Sequence, residues 1–179
     1  LHERYIEFPI HSHNYIEMMY VCSGSITHII DNEEIILHTG DFIILNENTK
    51  HALKKTTADD VGINIIISPA LFQSIIDEWG YDTNSIVGNF LYNSHEKYLY
   101  FKAGDILPVE NLMENLVYSL YMSDNVNDDI LTKTLSLLIL YLSKHPNALQ
   151  RANDKRVTDS FYLYVQKYIS ENYQNASLE

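Results

Sequence analysis

A chain of 179 residues is long enough for one well-buried domain with appended elements and too short for two large ones. With 46% hydrophobic residues it is globular, and its single cysteine, Cys22, excludes an internal disulfide and a cysteine-based zinc cluster, as fits a reducing compartment. The formal net charge of −12, with only 12 Lys and Arg scattered along the chain, excludes a nucleic-acid platform within these residues, because neutralising phosphates takes clustered cations.

No apolar run approaches the roughly 18 residues that span a bilayer, and no basic region precedes a hydrophobic signal core, so the expected location is cytoplasmic, without membrane contact. The chain begins Leu1-His2-Glu3 without an initiator Met, and residues are expected to precede it.

In chain order, residues 11–24 read HSHNYIEMMYVCSG and carry three metal-capable side chains. His11, His13 and Glu17 sit at even offsets, so a strand sends all three to one face. A straight strand would hold the outer two roughly 20 Å apart, too far for one ion, so the chain must bend, most naturally at Asn14. Gly24-Ser25 turns into ITHIID, and Asp31-Asn32 punctuates before EEIILH, so residues 15–38 are expected to form a three-strand antiparallel meander. Short strands follow at Phe42-Ile43-Ile44-Leu45, HALKKT and VGINIIIS, a spacing that indicates a sandwich or a closed barrel.

At Ser68-Pro69 the period changes to helical, with Leu71, Phe72, Ile75 and Ile76 on one face before Gly80. Residues 81–96 give no clear pattern, and KYLYFK at 97–102 reads as one more strand. From Pro108 a helix carries Val109, Leu112, Met113, Leu116, Val117 and Leu120, and after SDNVNDD a second carries Ile130, Leu131, Thr134, Leu135, Leu138, Tyr141 and Leu142. Two such helices with a short connection form an antiparallel hairpin. Leu137, Ile139 and Leu140 make the second apolar around more of its circumference, which implies either a buried helix or a subunit interface and hence a homodimer. Residues 144–155 read as a polar linker, Val157, Phe161, Val165, Tyr168 and Ile169 as the stripe of a further helix ending near Asn172 to Asn175, and Ser177 as the N-cap of a helix lying beyond Glu179.

The order His-x-His, three residues, Glu, six residues, Gly resembles the first cupin motif position for position. Gly40, Asn46-x-Asn48 and His51 resemble the second, which has Pro and Gly where Asn46 and Asn48 stand; its later Asn is replaced by Lys55. The resemblance implies that His51 joins His11, His13 and Glu17. A three-His, one-Glu set suits Zn, Fe, Ni or Mn without choosing among them, so the cofactor is either a divalent transition metal or none. The alternative is that these groups hydrogen-bond a polar organic ligand, or one another, with no ion. His28 and His38 are expected to be ordinary strand-surface residues, and His2, His95 and His145 to lie in loops or near termini. Most of the 14 tyrosines are expected in the core and rim, and Cys22, on the strand face opposite Glu17, in packing.

A barrel with these motifs, then a helix pair, a linker and YVQKYISENYQNASLE, resembles the sensory half of an AraC-family transcriptional regulator. The resemblance implies a mainly β fold with C-terminal α: a cupin-like β-barrel, or double-stranded β-helix, over 1–105, a helical dimerisation hairpin over 106–145, and a linker with the start of a helix-turn-helix domain over 146–179. It further implies a small-molecule effector, often a sugar, and DNA bound through a domain beyond Glu179 rather than catalysis. Two other expectations compete with it: a metal-dependent cupin oxygenase or isomerase, and a cupin binding module with neither role.

Overall fold

The computed structural model describes residues 7–80, 86–92, 96–121, 128–145 and 149–150. Strands β1 (Phe8–His11), β2 (Ile16–Ser23), β3 (Ser25–Ile30), β4 (Glu33–His38), β5 (Asp41–Leu45), β6 (His51–Leu53) and β7 (Val61–Ile67) come first. Helices α1 (Pro69–Glu78) and α2 (Ile86–Tyr92), strand β8 (Tyr98–Lys102), helices α3 (Leu107–Tyr121) and α4 (Asp128–Lys144), and the short β9 (Leu149–Gln150) complete the order. The strands make two antiparallel sheets, ordered β1-β6-β3-β4 and β7-β2-β5-β8-β9.

Side-chain parity explains how the sheets face each other. On β3, Ile26, His28 and Ile30 are buried while the residues between them are only partly so, and β4 buries Ile35 and Leu37. These meet Met19 and Val21 of β2, Ile43 and Leu45 of β5 and Tyr100 of β8 in a core between the sheets. The alternate residues Met18, Phe42, Ile44 and Phe101 turn outward and pack under the helices. Strand β5, DFIIL, is therefore buried on both faces, which is why its sequence is a continuous apolar run rather than an alternating one.

The expected meander over 15–38 is only half realised. β3 and β4 form a hairpin, with Asp31 and Asn32 at φ 52° and 66°, the left-handed pair a type I′ turn requires. β2, however, pairs with β5 and β7, not with β3. At Gly24, φ +73°, the chain crosses from one sheet to the other, and the Asp60 carboxylate holds this corner by accepting the Ser25 N–H at 2.7 Å. A Cβ at Gly24 would stand 2.2 Å from that same oxygen, so glycine is required there. The strand expected over HALKKT is shorter than its sequence, ending at Leu53.

Ser68 caps α1, accepting the Leu71 N–H at 3.2 Å, and Phe72, Ile75 and Ile76 of this helix are buried against the outer face of the five-stranded sheet. The unassigned stretch 81–96 contains helix α2. α3 packs along α4 as the helix hairpin read from the periodicity, burying Val109 and Met113 against Leu138 and Ile139. α4 is tied to α1 by the Trp79 indole N–H, which donates to the buried Ser136 hydroxyl at 2.5 Å. Within the stretch read as a linker, Leu149 and Gln150 pair with Phe101 and Tyr100 at the edge of β8. The expected helix from Val157 to near Asn175 and the cap at Ser177 lie outside the described residues, as do His2 and His95. Among the described residues no helix is long and apolar enough to cross a membrane.

Candidate functional site

The bend required between His11 and Glu17 is present at Asn14 and Tyr15, and it places His11 on β1 and Glu17 on β2, in different sheets. Asn14 makes the bend without a left-handed backbone; among the described non-glycine residues that conformation belongs to Asp31, Asn32 and Asn48. Asn48, at φ 60°, thus does the work of the motif glycine it replaces, and its N–H donates to the His13 carbonyl at 2.7 Å, tying the two motif segments together. Asn46 anchors the same loop by donating to the carbonyls of Phe90 and Glu96.

His13, Glu17 and His51 converge. The Glu17 Oε2 atom lies 2.8 Å from His13 Nε2 and 3.7 Å from His51 Nε2, and one ligand atom from each residue lies within 4.8 Å of the others. All three side chains are at most 5% exposed. His13 Nδ1 sits 2.8 Å from the Tyr15 carbonyl and His51 Nδ1 3.2 Å from the Thr49 carbonyl. A carbonyl only accepts, so in the neutral imidazoles the proton is on Nδ1 and the lone pair on Nε2. Neither buried Nε2 makes a hydrogen bond, although His13 Nε2 is close to the carboxylate. Two nitrogen lone pairs and one carboxylate oxygen therefore face each other, an arrangement that calls for a cation or a proton between them.

Burial pushes the His51 imidazole below the ordinary histidine range, aided by His11 and His13 and opposed by Glu17 and the Thr49 carbonyl. A folded-state value below the unfolded one favours the neutral ring in the fold. Its contribution to stability is thus complete above the ordinary value of about 6.5 and is lost as pH falls from there towards the folded value. In metal-free protein the urea midpoint should therefore drop between pH 7.5 and 5.5, and His51→Gln should reduce that drop. A midpoint that rises on acidification would contradict this.

His11 is brought near but not into the set. Its ring centre is 4.3 Å from that of His51 and 6.3 Å from that of His13; the side chain is exposed, and its Nδ1 is 2.9 Å from the Pro9 carbonyl. It stands at the rim because β1 is a sheet edge. His28 corrects the sequence reading: it is fully buried, with Nε2 3.2 Å from the Met19 sulfur and its ring 6.0 Å from that of His51. Its period-two parity with Ile26 and Ile30 was the available signal. His38 is exposed as expected, His145 lies just past α4, and Cys22 is partly buried, its thiol pushed up by desolvation. Asn64, absent from the sequence reading, donates to Glu17 Oε1 at 2.7 Å, which leaves Oε2 to face the two imidazoles.

Residues 2–66 match the family model described as the cupin domain. Among curated proteins none matches the chain by sequence. An apo variant of ToxT from Vibrio cholerae superposes with a TM-score of 0.59 at 13% identity, over 95% of this chain and 62% of that one. In fold, the chain is a cupin-type barrel followed by helices, similar to ToxT. ToxT with an unsaturated fatty acid bound gives a TM-score of 0.52 at 11% identity, over 95% of this chain and 60% of that one. The AraC-like transcriptional activator CuxR gives 0.50 at 13% identity, over 93% and 54%. The chain thus spans about three fifths of the length of ToxT. The order read from the sequence, a cupin-like barrel followed by helices, is the order these regulators share with it.

Proposed function

We propose that the chain is the effector-sensing and dimerising region of a cytoplasmic AraC-type DNA-binding regulator, with a divalent transition metal held by His13, Glu17 and His51. The observation that carries the reading is the buried convergence of three acceptors, each fixed from behind, inside a fold shared with transcriptional regulators. Outer partners of this kind orient metal ligands and set the tautomer. In a tetrahedral or octahedral shell with bonds of about 2.1 Å, neighbouring ligand atoms stand about 3.0–3.4 Å apart. The spacings of Glu17 Oε2 to the two nitrogens bracket this range. The ion would supply an electrophilic centre for an oxygen-bearing effector. The enzymatic alternative uses the same ligands; the likeness of nearly the whole chain to regulators favours sensing. In this reading residues 1–105 bind the effector, 106–145 join two copies, and 146–179 lead to the DNA-binding domain. That a ToxT structure holds a fatty acid supports a small-molecule effector in this architecture.

Tyr118 and Leu120 of α3 and Ile130, Leu137 and Tyr141 of α4 are exposed apolar side chains, and the three on α4 recur at helical spacing. A homodimer through this hairpin would cover them, and an effector that favours one dimer arrangement would alter how the DNA-binding domains meet their half-sites. Sedimentation equilibrium should show a dimer that Leu137→Asp weakens at least about tenfold without lowering the melting temperature of the monomer. A wild-type chain that stays monomeric at high micromolar concentration would contradict this part of the reading. Addition of Zn(II) should raise the melting temperature, because an ion bound only by the folded state stabilises it; no shift at a hundredfold molar excess would remove the metal.

A further inference from the structure

Three protein ligands leave part of an ion's coordination shell open, and the structure shows what surrounds the opening. β1 is an edge of one sheet and β7 an edge of the other, and His11 sits at the end of β1 beside His51. His11 Nδ1 donates to the Pro9 carbonyl, so its Nε2 carries a lone pair: at the rim stands a hydrogen-bond acceptor, not a donor. Ile66 is paired in register with Glu17 and therefore shares its strand face, yet it is 62% exposed. The opening thus combines the three candidate ligands, one acceptor and one bare aliphatic side chain.

The geometry points to a small 2-hydroxy acid as the ligand of this opening. It rests on the metal reading above. A carboxylate oxygen and the adjacent hydroxyl oxygen are oxygen donors that chelate one ion through two open positions. The hydroxyl proton is donated to His11 Nε2, and a short aliphatic remainder lies against Ile66. His11 is then a specificity residue for the ligand rather than a fourth protein ligand, which explains why it lies outside the convergent set. A 2-oxo acid chelates equally but has no proton for His11, and a simple carboxylate has neither feature. A site with a fixed acceptor discriminates against analogues that lack the donor.

The test is calorimetry on the Zn(II)-loaded chain with 2-hydroxyisovalerate, 2-oxoisovalerate and isovalerate, which share one aliphatic tail. The expected order is hydroxy over oxo by about tenfold, and oxo over the simple acid by about tenfold. His11→Ala should keep one Zn(II) per chain and bring the hydroxy and oxo acids to similar affinity. Zn(II) bound with no preference among the three acids overturns this proposal while leaving the metal reading intact. Loss of Zn(II) from His11→Ala overturns it by making His11 a ligand of the ion. Failure of the wild-type chain to bind Zn(II) overturns both.

Discussion

Glu17→Gln should lower the affinity for Zn(II) at least about a hundredfold while leaving the fold intact. Losing an outer partner of a metal ligand typically costs about 10–100-fold, and here the ligand's own charge is removed. The Gln side chain has nearly the same shape and still offers an oxygen to the Asn64 amide, which in the native chain donates to Glu17 Oε1 at 2.7 Å. The change therefore removes charge from the cluster without emptying space in the core. Asn64→Ala should fall in the 10–100-fold range itself, since it frees the carboxylate to rotate away from His13 and His51. His38→Gln, on the exposed side of β4, should change nothing. Competitive titration against a chelating indicator measures all three, and wild-type affinity in Glu17→Gln would contradict the assignment of Glu17.

Phe42→Ala should cost about 3–5 kcal/mol of folding stability. Phe42 is completely buried on the outer face of β5, its ring 4.7 Å from that of Tyr20, in the cluster that joins the sheet to the helices. β5 pairs with β2 on one side and β8 on the other, so a cavity there loosens the strand next to Glu17 as well as the seat of the helices. Against a typical total of about 5–15 kcal/mol, this leaves the variant marginal. Ile36→Thr, whose side chain is 49% exposed on β4, should stay within about 0.5 kcal/mol. Urea unfolding of both variants distinguishes them, and equal midpoints would show that this interface does not hold the fold together.

Much of this architecture was legible because its signals are local. Strand rise required a bend between His11 and Glu17, Asp31-Asn32 marked a hairpin, and Ser68-Pro69 marked the start of a helix. What stayed hidden depends on partners distant in the chain. Gly24 announced a turn, but only the Asp60 carboxylate beside Ser25 makes it a corner between sheets rather than a hairpin. Asn64 sits in a run of isoleucines where parity says nothing about which face meets Glu17. Spacing did not give His11 its depth, which follows from β1 being a sheet edge. His28 reads as a surface residue by its type, although its alternation with Ile26 and Ile30 puts it inside. The degenerate second motif proved informative: Asn48 replaces a glycine because Asn tolerates the left-handed backbone the turn demands.

The most direct measurement is an anomalous difference map from a crystal of the chain grown with one equivalent of Zn(II). The account predicts a single strong peak within about 2.3 Å of His13 Nε2, His51 Nε2 and a Glu17 oxygen, with His11 outside bonding distance. A peak bound by surface carboxylates alone, or a map in which His13 and Glu17 contact each other with no peak between them and His51, would contradict it.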